Sequence, residues 1–89
     1  MAFHTCDIHG DDDSVVCTAV MVNLEETTRD GEPEWYGTFS VPHTVPLSAG
    51  KEYRLTLDDG RTGQFCVRRN TFAGGADRAV SFYGVGPLK

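Results

Sequence analysis

The chain has 89 residues and a net charge of −5, with 39% hydrophobic and 24% charged residues, which suits one globular domain over residues 1–89 with a modest core. No segment approaches the ~18 apolar residues of a membrane helix, so no membrane contact is expected. Residues 1–34 hold nine acids and one base. So acidic a chain disfavours nonspecific nucleic-acid binding, which depends on neutralising phosphates.

The first predicted element is a short strand over residues 3–8. The N-terminal segment carries Asp7 and then Asp11, Asp12 and Asp13 where a secretion signal would have a basic and then an apolar run, so no signal is expected. The three cysteines are an odd number, which argues against a disulfide framework. We therefore predict a cytoplasmic protein with reduced thiols and no cofactor.

Three possible zinc ligands, His4, Cys6 and His9, lie close together in this first segment. On an extended strand His4 and Cys6 would face the same side. No second ligand cluster follows in the sequence, and polar termini are commonly unanchored. We therefore predict no metal site.

Residues 15–24 are the strongest strand, because β-branched residues dominate the run and favour a strand over a helix. The strand is apolar on both faces, so it is either central or presents one face to another subunit. The first face holds Val16, Val20, Val22 and Leu24, and the second holds Val15, Cys17, Ala19 and Met21.

A charged loop is predicted over residues 25–34, turning at residues 30–33. A strand over residues 35–41 follows, in which Gly37 permits a close approach. Pro42 and Pro46 then predict a segment that crosses to another part of the fold or lies at a sheet edge.

Residues 51–67 predict a hairpin with a definite register. A two-residue turn would set Leu55 opposite Gln64 and mix apolar with polar residues on each face, whereas a three-residue loop over residues 58–60 keeps the faces separate. That loop places Gly60 in the left-handed position after a type I turn. It also pairs Tyr53 with Phe65, Leu55 with Gly63 and Thr56 with Thr62.

A loop over residues 70–77 and a last strand over residues 78–83 complete the pattern. The whole chain is predicted to be all-β, with five or six antiparallel strands separated by short turns. This spacing favours a small barrel, with a β-sandwich as the alternative.

The loop after residue 70 also carries a candidate anion site. Successive backbone N–H groups of a glycine-rich turn can surround an anion, and arginines add bidentate donors. A solvated loop with exposed arginines is the simpler interpretation. The candidate residues are Arg54, Arg68, Arg69, Gly74, Gly75 and Arg78.

A candidate interface combines the second face of the 15–24 strand with nearby aromatic residues. A chain this short has little material to cover a second apolar face, and exposed apolar patches mark partner surfaces. The set is Val15, Cys17, Ala19, Met21, Trp35 and Tyr36.

No catalytic motif is found, and the paired aspartates fall in turns, where carboxylates stay ionised. The sequence therefore predicts a non-catalytic binding or assembly module that contacts itself or another protein. The alternative is a barrel that binds a phosphorylated small molecule or single-stranded nucleic acid through its arginines.

Overall fold

A computed structural model describes residues 2–72 and 75–89, and all of its regular structure is β. Among these residues no helix is long and apolar enough to cross a membrane. The six strands are β1 (Ala2–His9), β2 (Val15–Arg29), β3 (Glu32–Pro42), β4 (Glu52–Leu57), β5 (Thr62–Phe72) and β6 (Asp77–Val85).

The strands close into an antiparallel barrel in the order β1-β2-β3-β6-β5-β4, with β4 returning to β1. The predicted barrel is confirmed, and the sandwich alternative is excluded because one continuous sheet surrounds one core. The segment between β3 and β4 crosses the end of the barrel past β6 and β5, as the proline pair predicts. Leu47 of this crossover is 4% exposed and accepts a hydrogen bond at its carbonyl from Asn70 Nδ2 at 2.7 Å.

The interior is filled by alternate residues of all six strands, as the period of two along a strand requires. Phe65 and Phe82 lie at its centre with ring centroids 5.0 Å apart, and Leu55 and Val22 have no exposed surface. No buried residue in the described part of the chain is polar or charged. The described interior is therefore an apolar core built from large side chains.

The β4–β5 hairpin has the predicted register. Tyr53 pairs with Phe65 and Leu55 with Gly63, and the Leu57 amide donates to the Arg61 carbonyl at 2.8 Å. The three-residue loop between them is confirmed.

The loop predicted over residues 25–34 is wrong. β2 continues to Arg29 and β3 starts at Glu32, so only Asp30 and Gly31 form the turn. Both have positive φ, 52° and 81°, as a type I′ hairpin turn requires. The charges that suggested a loop are those of a two-stranded arm that extends beyond the barrel, where both faces are solvated. We call residues 25–34 the hairpin arm.

The loop predicted over residues 70–77 is shorter than expected. β5 continues to Phe72 and β6 begins at Asp77. The ladder reaches the Phe72–Arg78 pair, so the sequence overestimated the loop by several residues at its two ends.

Candidate binding surface

β2 contains two irregularities that decide which of its side chains face outward. Its pairing with β1 shifts twice between Cys6 and His9. At the first shift Ala19 adopts φ +56° and its amide donates to Asp7 Oδ1 at 3.0 Å. The extra residue turns Cys17 toward the core, against which it packs. Placing Cys17 on the outer face is therefore wrong, because strict alternation does not hold through a bulge.

Trp35 also departs from the predicted interface. Its side chain is 5% exposed and lies inside the end of the barrel, where its Nε1 donates to the Gly86 carbonyl at 2.9 Å. Gly63 and Gly84, on β5 and β6, leave the space for the indole ring. Trp35 therefore belongs to the core and is not part of an outer surface.

Four neighbouring strands expose large apolar or aromatic side chains, and the most exposed on each strand are Phe3, Met21, Tyr36 and Tyr83. The exposed fractions are 64% for Phe3 on β1, 64% for Met21 on β2, 45% for Tyr36 on β3 and 39% for Tyr83 on β6. Tyr36 and Tyr83 are directly opposite each other across the β3–β6 ladder. We call these four residues the apolar band. Val15, also exposed at 63%, and the exposed Ala19 lie closer to the N-terminal end of β2.

The arginines of the predicted anion site are dispersed. Arg54 pairs with Asp13 at 2.7 Å, and Arg78 donates to the Val45 carbonyl of the crossover. Gly75 has φ +60°, and its carbonyl lies 3.2 Å from His43 Nε2. Gly74 lies outside the described residues. Among the described members of the set, only two lie next to each other on the outer wall.

Those two are Arg68 and Arg69, which we call the arginine pair. A register shift between Val67 and Arg69 in the β5–β6 ladder adds one residue to β5, and both arginine side chains are exposed. In the described part of the chain neither makes an ion pair, whereas Arg29, Arg54 and Arg61 each bind a carboxylate. The wall therefore carries two uncompensated positive charges.

The guanidinium of Arg68 lies over the ring of Tyr83, 5.2 Å from its centroid. Cation–π contact restrains the planar guanidinium and leaves its N–H groups available. The side-chain hydrogen bond between Tyr83 and Cys66 raises the pKa of the Tyr83 hydroxyl above its ordinary value. The phenol is therefore neutral at physiological pH, and it does not compensate the charge of Arg68.

A groove of about 820 Å³ separates the hairpin arm from this wall. It is open to solvent along its length. One side is formed by the arm, and the other by Arg68 and Tyr83 with the segment after β6. The residues that define it best are Thr28, Glu32, Pro33, Tyr36, Arg68 and Tyr83.

The edge of β3 that faces the groove cannot accept a complete new strand. Arg29 and Glu32 flank the two-residue turn and form its hydrogen-bonded pair, so the next pair, Thr28 and Pro33, points its backbone groups away from the ladder. Pro33 has no N–H to donate. A partner in the groove must therefore bind mainly through side chains.

The possible zinc ligands of β1 do not converge. Cys6 faces the interior at 2% exposure, and His4 Nδ1 lies 3.1 Å from Asp58 Oδ1. In the described residues no three His, Cys, Asp or Glu side chains form a group that could hold a metal ion.

The buried thiol of Cys6 is not an activated nucleophile. Burial raises the pKa of the Cys6 thiol to about 12, which keeps it protonated and unreactive.

Comparison with protein-family models, curated proteins and solved structures finds no match to this chain.

Proposed function

We propose that this protein is a non-catalytic assembly module that associates with a second copy of itself through the outer wall of the barrel. The observation that supports the proposal is the apolar band. Its four side chains are exposed although the core has ample apolar residues to fill the barrel, and exposed apolar surface of this kind marks contact sites. On the free edge of the hairpin arm Pro33 has no N–H to donate, so a contact there uses mainly side chains.

A second copy is the preferred partner because the same surface of two identical chains can then form both sides of the interface. In an isologous dimer each residue of the band is used twice, which doubles the apolar area that a small domain can bury. The uneven charge supports the same choice, since residues 1–34 carry −8 and residues 35–89 carry +3.

Analytical ultracentrifugation of the wild-type chain over a wide concentration range tests the proposal. We expect a monomer–dimer equilibrium that Met21→Lys weakens by about tenfold or more, because a charge placed in a buried apolar contact is costly. Thr44→Lys is the matched control, since Thr44 is exposed in the segment between β3 and β4 and lies on none of the strands that carry the band. A wild-type monomer at every concentration contradicts the proposal.

The arginine pair favours a second candidate function, the binding of a phosphate-bearing ligand beside the tyrosines. Arginine donates bidentate hydrogen bonds to phosphate, and an exposed ring can stack on a base. Calorimetry with inorganic pyrophosphate and fluorescence anisotropy with a labelled oligothymidylate test the two sources of phosphate. Salt-sensitive binding that is lost in Arg68→Ala/Arg69→Ala would favour this function over self-association. Binding that the double variant retains would exclude the arginines as the site.

A further inference from the structure

We infer that two copies of the chain clasp each other, the tip of the hairpin arm of one copy binding the arginine pair of the other and the reverse. This inference rests on the proposed self-association and names the contact that orients the two copies. The arm and Arg68 lie on opposite sides of one groove, and Arg69 follows Arg68 on β5, so one face of the molecule supplies both halves of the contact.

The charges at the arm tip match those on the wall. Along the arm, Glu26 is bound to Arg61 at 2.8 Å and Glu34 lies 3.8 Å from Arg29. The two exposed acids at the tip, Asp30 and Glu32, make no ion pair with any described residue. One copy therefore presents two uncompensated carboxylates and two uncompensated guanidiniums, and neither set meets the other within the chain.

The shape of the molecule allows the exchange to be reciprocal. Both strands of the arm are exposed from Thr27 to Pro33, and the longest extent of the molecule is 40 Å against 25 and 23 Å. The groove runs along this arm, from Tyr36 to the residues that flank the turn, Arg29 and Glu32. In two copies related by a two-fold axis, the tip of each hairpin arm can lie in the groove of the other copy, which gives a closed dimer.

The contacts of the groove suit side-chain recognition. The cation–π contact with Tyr83 restrains the Arg68 guanidinium, so less freedom is lost when a carboxylate binds to it. Tyr36 and Tyr83 belong to the apolar band and also line the groove, so the charged contact is continuous with the apolar one. Because Pro33 prevents a full strand exchange, the contact between the two copies depends mainly on charged side chains. Salt screens such charges, so the clasp should weaken as salt is added.

Charge reversal with rescue tests the clasp. In the wall variant, Arg68→Glu and Arg69→Glu reverse the arginine pair. In the tip variant, Glu32→Arg is combined with Asp30→Asn, because asparagine tolerates the left-handed backbone at residue 30. The matched control reverses two other cations that lie outside the groove, Lys51→Glu and Arg54→Glu.

Sedimentation velocity at low salt, with circular dichroism to verify folding, should show that each groove variant dimerises at least about tenfold more weakly than wild type. The equimolar mixture of the two variants should form a heterodimer, in which each tip meets a wall of opposite charge. The control should dimerise like wild type.

Each other outcome has a definite meaning. A wild-type dimer that neither groove variant weakens overturns the clasp and leaves the proposed self-association intact. Loss of the dimer in only one variant, or a mixture that stays monomeric, also overturns the pairing of tip with wall. A monomeric wild type removes the clasp and the proposed function together.

Discussion

The indole of Trp35 lies so close to the backbone of Gly84 that a β-carbon at residue 84 would be 2.1 Å from Trp35 Cε2. The same ring reaches Gly63, where a β-carbon would be 2.7 Å from Trp35 Cζ2. Two glycines on neighbouring strands, both without a β-carbon, thus leave room for one large side chain. Trp35 can therefore fill the barrel end from which the hairpin arm extends.

Gly84→Ala should destabilise the fold by about 3 kcal/mol or more, because the methyl group would overlap a ring that cannot move without leaving the core. Urea denaturation measures the loss. The control is the same substitution in a Trp35→Leu background, where a smaller side chain faces residue 84 and the cost should fall clearly. An equal cost in both backgrounds would show that the ring is not the cause.

Local sequence signals were sufficient for the β4–β5 hairpin, because the apolar alternation on both strands admits only one register. They were also sufficient for the barrel class, since short strands with frequent turns leave few other folds. They failed for the hairpin arm, where a type I′ turn at Asp30-Gly31 was hidden by a run of charges. Both faces of an arm are solvated, so it carries no apolar alternation to detect.

Leu55→Ala should destabilise the protein by about 2–5 kcal/mol, because Leu55 is fully buried and the smaller side chain leaves a cavity. Thermal unfolding followed by circular dichroism measures the change. Val15→Ala is the control: Val15 is 63% exposed, and its truncation should change the free energy of unfolding by about 0.5 kcal/mol or less. Similar costs at the two positions would contradict the placement of Leu55 in the core.

The thiol of Cys6 should resist alkylation in the folded protein. Burial raises its pKa to about 12, and the thiolate is the reactive form. In a Cys17→Ser/Cys66→Ser background, iodoacetamide should modify Cys6 only after denaturant is added, as mass spectrometry can show. Rapid modification without denaturant would place Cys6 outside the core.

The raised pKa of the Cys6 thiol also makes the stability of the protein depend on pH in the alkaline range. Between the ordinary thiol pKa of 9.0 and about 12 the unfolded chain loses the Cys6 proton while the folded chain retains it. Stability should therefore fall as pH rises through this window. Cys6→Ala should reduce that slope.

Protonation of Asp58, in the β4–β5 turn, should lower the stability of the protein at acid pH. His4 and the Thr5 amide donate to Asp58 and hold the pKa of its carboxyl below the ordinary 3.8. The carboxyl of Asp58 therefore binds a proton more readily in the unfolded chain than in the folded one. The stabilisation that ionised Asp58 gives the folded state is complete above the ordinary pKa, and it is lost as pH falls through the lower pKa of the folded state. Asp58→Asn should flatten the acid limb of the stability curve, and Asp11→Asn, in the exposed β1–β2 turn, should not.

The surface was predicted less completely than the core. Exposed Met21 and Tyr36 follow from alternation, but Cys17 does not, because the bulge at Ala19 leaves no mark in the residue pattern. Phe3 was missed as an outer residue, although its alternation with Cys6 and Ile8 on β1 was available. The pairing of Arg68 with Tyr83 depends on a register shift in β5, which only the structure reveals.

The crossover between β3 and β4 has a consequence for how the chain reaches this fold. Because β4 follows the crossover, the barrel closes only when β4 meets β1 and β6 meets β3, and the pairs Cys6–Leu57 and Tyr36–Tyr83 each join positions about fifty residues apart. The hairpins can form early from local contacts, whereas closure must wait for these two distant pairings. Refolding should therefore be slow for a chain of this length, and its rate should respond most to substitutions along the β1–β4 and β3–β6 pairings.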